Sequence, residues 1–341
     1  MLKIVCFTLS MVNKYYMRGK EMSIFLLGGH EINEGPSNVN KAIIKQAGKE
    51  LTFTRTHNKI TRNLEIIWHL LTCDKVIISG MCAPRNYYLV RLLNRRYSYL
   101  MHGCLEFENK INNLHVSRSE LLTEAGILKN AERIICVSED YAEWIKNRYP
   151  AYRNKITFIT NGIKLEKRQK VQKKPYSIAV SGGNRRIKNN GEVYKAVKLL
   201  NEHGINCHLY IFGTKYRDND QLEGKYASYL GQLSKEDYYE KLDRINCFVL
   251  NSEVESFGLV IADALNCNCS LVISKNVGAA SIMKCSEKEV IQNPHDIQEI
   301  AVKIKTACEC SNSERLFDSI DINSCSESAA YLKLMKIAES Y

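Results

Sequence analysis

The sequence predicts an α/β protein of two lobes, each a mostly parallel sheet with helices on both faces. Three observations carry that expectation. Short apolar runs alternate with stretches of helical spacing along most of the chain; the alternation restarts after a basic, glycine-free stretch at 164–174; and 341 residues suits two domains that each bury a core.

Met22 opens the first regular element. Ser23-Ile24-Phe25-Leu26-Leu27-Gly28-Gly29 is a buried-strand pattern ending in glycines, the usual start of a nucleotide-handling lobe. Residues 1–21 are therefore expected to be a non-native or upstream-translated extension, since Arg18-Gly19-Lys20-Glu21 is compatible with purine-rich codons of a ribosome-binding site. Their apolar start lacks a small-residue cleavage site, which argues against a signal peptide. Helical spacing follows at 38–49 and 139–149, and strands closed by glycine or serine at 75–80, 97–103 and 133–137. The first lobe then spans 22–165 and a linker 166–175, where Pro175 precedes a new strand at 176–180. The second lobe, 176–323, has strands at 207–212, 247–250 and 270–274 and helices at 192–203, 234–243 and 258–265. An amphipathic helix closes the chain at 324–341.

Composition narrows the function classes. With 45% hydrophobic and 25% charged residues and no run of eighteen apolar ones, nothing is expected to span a membrane. The thirteen cysteines form no Cys-x-x-Cys pair, and Cys267-Asn268-Cys269 and Cys308-Glu309-Cys310 are spaced too tightly for a zinc knuckle. They read as reduced, mostly buried thiols, so a cytoplasmic protein with no metal and no cofactor is expected. A net charge of +11 is concentrated in Lys41, Lys45, Lys49, Arg55, Lys59, Arg62, Arg91, Arg95, Arg96 and 164–174. Solvated helix faces or contact with anionic lipid at the inner face of a cell membrane account for it; no nucleic-acid motif is present.

Two segments of the second lobe carry chemistry. After the strand at 176–180 comes Ser181-Gly182-Gly183-Asn184-Arg185-Arg186-Ile187-Lys188. Glycines let backbone amides approach a ligand, and arginine and lysine bind phosphate oxygens, so the pattern reads as a diphosphate cradle with Arg185 and Arg186 interchangeable. The second is Ser252-Glu253-Val254-Glu255-Ser256-Phe257-Gly258-Leu259, followed at a fixed offset by Asp263. A helix starting near Phe257 aims free amides and a positive dipole end at an anion. Glu253 competes with Glu255 for the inward position, two residues apart on extended backbone. Asp218-Asn219-Asp220 is a weaker alternative, a divalent-cation site.

The spacing Glu255 to Asp263 resembles the Glu, seven residues, acidic residue signature of retaining glycosyltransferase family 4. That resemblance, strong in the second lobe and loose in the first, implies the GT-B architecture: two Rossmann-like lobes with parallel sheets facing across a cleft. It implies that Glu255 contacts donor-sugar hydroxyls and Asp263 the ribose, although Asp stands where the family has Glu and reaches about 1.5 Å less. Arg185 or Arg186 with Lys188 is similar to the family's diphosphate grip. Tyr229 and Leu230 resemble the strand end that frames the base, Gly35-Pro36-Ser37 the first-lobe loop approaching the diphosphate, and His102, at a strand's carboxyl end, a contact to the donor sugar. Asn268 replaces a usual glycine at a left-handed turn, a backbone asparagine tolerates. The terminal helix crosses back to the first lobe in such enzymes. The implied reaction is metal-independent transfer from a nucleoside-diphosphate sugar, UDP-hexose by preference, to a saccharide or lipid-linked acceptor in bacterial surface-polysaccharide synthesis. A non-catalytic sugar-nucleotide-binding protein is the alternative.

Overall fold

β-Branched and aromatic residues at buried positions build two six-stranded sheets. A computed structural model describes residues 22–31, 35–215, 222 and 224–340; the extension at 1–21 and the Asp218-Asn219-Asp220 alternative lie outside them. The first sheet contains β1 (Ile24–Leu27), β2 (Leu51–Phe53), β3 (Lys75–Ser79), β4 (Tyr97–Met101), β5 (Arg133–Cys136) and β6 (Ile156–Phe158), in the order β2-β1-β3-β4-β5-β6. The parallel pairs set Ile24 opposite both Leu51 and Lys75, and Val76 opposite Tyr97. Between the strands run α1 (Gly35–Gln46), α2 (Lys59–Thr72), α3 (Pro84–Leu92), α4 (Leu105–Asn112), α5 (Arg118–Asn130) and α6 (Glu139–Arg148).

The second sheet holds β7 (Lys174–Val180), β8 (His208–Phe212), β9 (Ala227–Gly231), β10 (Ile245–Leu250), β11 (Ser270–Ser274) and β12 (Val290–Ile291), ordered β12-β11-β10-β7-β8-β9. Its helices are α7 (Asn190–Glu202), α8 (Lys235–Asp243), α9 (Val260–Asn266), α10 (Ile297–Glu309), α11 (Ser313–Asp318), α12 (Ile322–Cys325) and α13 (Glu327–Glu339). Ile178, Val193, Val197, Leu209, Val249 and Ile300 form one buried cluster between β7, β8, β10, α7 and α10. Both sheets are parallel and helix-covered, as the alternating pattern predicts.

The chain condenses into two units. One holds the described residues through Met101 with Arg118–Ile134 and Tyr331–Ser340; the other holds His102–Ser117 and the described residues of Ile135–Ala330. In the first unit Tyr331 donates to Glu50, and Lys75 Nζ donates to the Glu339 carbonyl at 2.9 Å. In the second, Asn112 Oδ1 accepts from the Ile187 amide at 3.0 Å, and Ser138 Oγ donates to the Ser256 carbonyl at 2.7 Å. These bonds tie α4 and the start of α6 to the segments that follow β7 and β10.

Local departures have local causes. Gly35-Pro36-Ser37, expected as a loop, forms the first turn of α1, where proline's fixed φ and missing amide cost nothing. The helix expected from residue 258 begins at Val260, because Gly258 takes φ +96° and no right-handed helix passes through that angle. Asn268 adopts φ +56°, the left-handed turn its side chain tolerates. The basic stretch at 164–174 lies along the second unit: Arg168 pairs with Asp243 at 2.8 Å and Lys167 with Asp318 at 3.1 Å. All twelve described cysteines are free thiols, nine of them buried.

Candidate active site

Strand order reverses at β7, with β8 on one side and β10 on the other. Such a reversal leaves a crevice outside the carboxyl ends of the two diverging strands, where open α/β sheets bind ligands. The segments leaving β7 and β10 are the two motifs singled out in the sequence, so topology and motif converge on one place.

After β7 the chain turns through Gly182 and Gly183, at φ +87° and +62°. A Cβ on Gly183 would collide with the Thr214 carbonyl and stand 2.7 Å from Tyr229 Oη. The Gly183 amide is bonded to the Phe212 carbonyl at 2.9 Å, and Asn190 Nδ2 donates to the Gly183 carbonyl at 2.6 Å. Only glycine lets the ends of β7, β8 and β9 come this close. Tyr229 and Leu230, in β9, thus sit beside the cradle turn, half-buried.

Lys188 closes a short 3₁₀ turn at Arg186–Lys188 and is only 9% exposed. Its ammonium is hydrogen-bonded to Glu255, and Ser252 Oγ donates to the same carboxylate oxygen at 3.3 Å. A buried ion pair needs such additional bonds to offset desolvation. Glu255 is fixed by its own backbone: its amide donates to the Asn276 carbonyl, and its carbonyl accepts from Gly278, both at 3.0 Å. Glu253 turns elsewhere, pairing with His295 at 3.1 Å and Asn189 at 3.3 Å. The two arginines, interchangeable in the sequence, differ in place: Arg185 is half-buried with Nε donating to the Gly182 carbonyl at 3.4 Å, whereas Arg186 is exposed. Arg185→Ala is therefore expected to weaken nucleotide binding at least tenfold, on the order of one charge-assisted hydrogen bond, and Arg186→Ala to leave it unchanged, as read by calorimetry.

His102 and Gly103 follow β4. Burial pushes the His102 imidazole down to about 4, so it is neutral near pH 7. One residue escaped sequence reasoning. Glu108, on α4, accepts from the Cys104 amide at 3.2 Å, with its carboxyl group against Gly103. It lies in the electrostatic reach of Glu255, Lys188 and Arg185; burial, then the Glu255 carboxylate, raises its pKa, and the two cations oppose that. No motif surrounds it. The only signal is Gly103, where a side chain would strike this carboxylate.

These two groups give opposite pH dependences. The folded His102 binds its proton less readily than an unburied imidazole at 6.5, so stability falls as pH drops from 6.5 to about 4. Glu108 contributes stability that is present below the ordinary carboxyl range and lost as pH rises through its raised value. Chemical denaturation across that window is expected to show the first slope flattened in His102→Gln and the second in Glu108→Gln.

The remaining residues of the sequence reading are spread more widely. Ser256, Phe257, Gly258 and Leu259 form the turn between Glu255 and α9; Phe257 is buried, and its carbonyl accepts from Ala279 at 2.8 Å. Asp263, on α9, accepts from Tyr239 Oη at 2.5 Å; burial raises its pKa and that hydrogen bond opposes the rise. Gly35 belongs to the first unit, opening α1. A separate concavity of 510 Å³, lined by Lys195, Lys198, Glu202 and His295 among others, shares no residue with this constellation.

Comparison with known proteins bears on the family and the fold. Residues 163–319 match the family model described as glycosyl transferases group 1, and 59–167 the model described as glycosyltransferase family 4. Together the two span 59–319. No curated protein sequence matches the chain. Among solved structures, HepE from Anabaena in complex with UDP-glucose superposes with a TM-score of 0.69 at 14% identity, covering 94% of this chain and 100% of that one. Sucrose-phosphate synthase from Thermosynechococcus elongatus gives 0.70 at 14%, covering 93% and 98%. An α,α-trehalose-phosphate synthase (UDP-forming) from Burkholderia xenovorans gives 0.66 at 9%, covering 93% and 100%. At such identities the structural likeness shows the fold.

Proposed function

Since the chain is a glycosyltransferase of the family 4 type with the GT-B fold, we propose that it moves a hexose from a UDP-sugar to a hydroxyl of a saccharide or lipid-linked acceptor, with retention and without a metal ion. The observation that carries this reading is the convergence of Lys188, Arg185, Glu255 and the Gly182-Gly183 turn at the point where the strand order reverses. The anomeric carbon loses its bond to the diphosphate oxygen and gains one to the acceptor oxygen, whose proton passes to the departing phosphate. Negative charge grows on that phosphate, and Lys188 and Arg185 supply positive potential there in a mostly desolvated setting. Glu255 exchanges Lys188 for the donor sugar's hydroxyls. His102, held neutral, and Glu108 offer hydrogen bonds to the sugar ring. Asp263, one methylene short and engaged by Tyr239, holds the ribose through a longer contact or a water. UDP is favoured because the structurally similar HepE is seen in complex with UDP-glucose. The pathway we assign is surface-polysaccharide synthesis at the inner face of a bacterial membrane; no described helix is long and apolar enough to cross one.

A thermal-shift panel of UDP, GDP, CDP and ADP, each with EDTA and with manganese, tests this reading. A nucleotide at about a hundred times its Kd adds about 2.7 kcal/mol. Stabilisation by UDP in EDTA is expected. Stabilisation by none, or only with manganese, contradicts it.

A further inference from the structure

The first unit carries an apolar surface that the transfer reaction does not use. Its α2 packs on α3, and α3 on α5, forming one helix layer. From α2 project Ile60, Leu64 and Trp68, four residues apart and 71%, 63% and 65% exposed. Tyr88 and Leu92 repeat that spacing on α3, and Leu122 continues the surface on α5, each more than half exposed. No described residue covers them. Trp68 is one of only two tryptophans in the chain, and a residue of that size is ordinarily buried on average.

The exposed charges on these three helices have one sign, and the exposed acid beside them, Glu31, is neutralised by Arg62 of α2 at 2.9 Å. Every exposed charged residue on the three helices is cationic: Lys59, Arg85, Arg91, Arg118 and Lys129. The acids of the same helices are withdrawn. Glu65 accepts from the Arg55 and Thr56 amides, Glu124 is buried and Glu120 is half-buried. We propose that this face docks on an anionic lipid bilayer, with Trp68, Tyr88 and the leucines at the headgroup boundary and the arginines on lipid phosphates. A second copy of the chain fits less well, because a two-fold contact opposes the same cations across the interface. The inference deepens the proposed function, from which it takes the lipid-linked acceptor.

Vesicle co-sedimentation without donor or acceptor tests it. The wild type is expected to pellet with phosphatidylcholine vesicles containing phosphatidylglycerol, to stay in solution with phosphatidylcholine alone, and to be released by salt. Arg85→Ala and Arg91→Ala are each expected to weaken partitioning about fivefold, and Leu64→Ser with Trp68→Ser to abolish it. All four side chains are exposed, so the variants fold, and their UDP binding in solution stays that of the wild type. The proposal is overturned if the wild type ignores anionic vesicles, if the substituted proteins bind them equally, or if light scattering shows a dimer that Trp68→Ser dissolves. Failure of UDP binding by the wild type, with vesicle binding intact, strikes the proposed reaction instead.

Discussion

Lys188→Ala is expected to lower the rate of sugar transfer a hundredfold to a thousandfold, about 2.7 to 4 kcal/mol, the typical cost of one preorganised donor to a developing anion. The side chain is almost fully enclosed and bonded to Glu255, so its removal also leaves a carboxylate unpaired. Breaking such a pair from one side costs about 3–5 kcal/mol of stability, whereas replacing both members is often close to neutral. Lys188→Met combined with Glu255→Gln is therefore expected to recover most of the stability lost by Lys188→Ala and none of the activity. Denaturant titration and single-turnover assays separate the two effects. Recovery of turnover in the double variant would show that Lys188 acts only by supporting the fold.

Gly183→Ala is expected to abolish nucleotide binding while the sheets persist. A methyl group there meets the Thr214 carbonyl and Tyr229 Oη, and the φ of +62° adds strain of about 1–2 kcal/mol for any residue with a Cβ. Because the Gly183 amide is bonded to the end of β8, relief requires the ends of β7 and β8 to part, which moves the cradle off Lys188. Gly204→Ala is the matched control: φ is +82°, and nothing lies within 4 Å of its Cβ. It carries the strain without the collision. Calorimetric titration of UDP into both variants is expected to show binding lost in the first and retained in the second.

Strand and helix alternation was legible because parallel sheets demand apolar strands with amphipathic crossovers, and the expected strand at 270–274 coincides with β11. The pairing of Lys188 with Glu255 was foreshadowed by two motifs at strand ends, each with its own glycine. The choice of Glu255 over Glu253 came from its spacing to Asp263 and not from local geometry. Extended backbone points both the same way, and in the fold the backbone bonds of Glu255 to Asn276 and Gly278 hold its carboxylate toward Lys188. The same holds for the arginines, since a 3₁₀ turn after Arg185 separates neighbours that look equivalent in sequence. Glu108 was invisible because it reaches the site through the packing of α4 on that turn, a tertiary contact made by Asn112 with Ile187.

The central claim is that a sugar nucleotide binds where β7 and β10 diverge. A crystal structure with a UDP-hexose in EDTA tests it most directly. The account predicts the diphosphate between the Gly182-Gly183 turn, Arg185 and Lys188, with Glu255 moved from Lys188 onto the sugar hydroxyls. A nucleotide seated instead in the concavity of Lys195 and His295, or with its phosphates out of reach of Lys188, would contradict it.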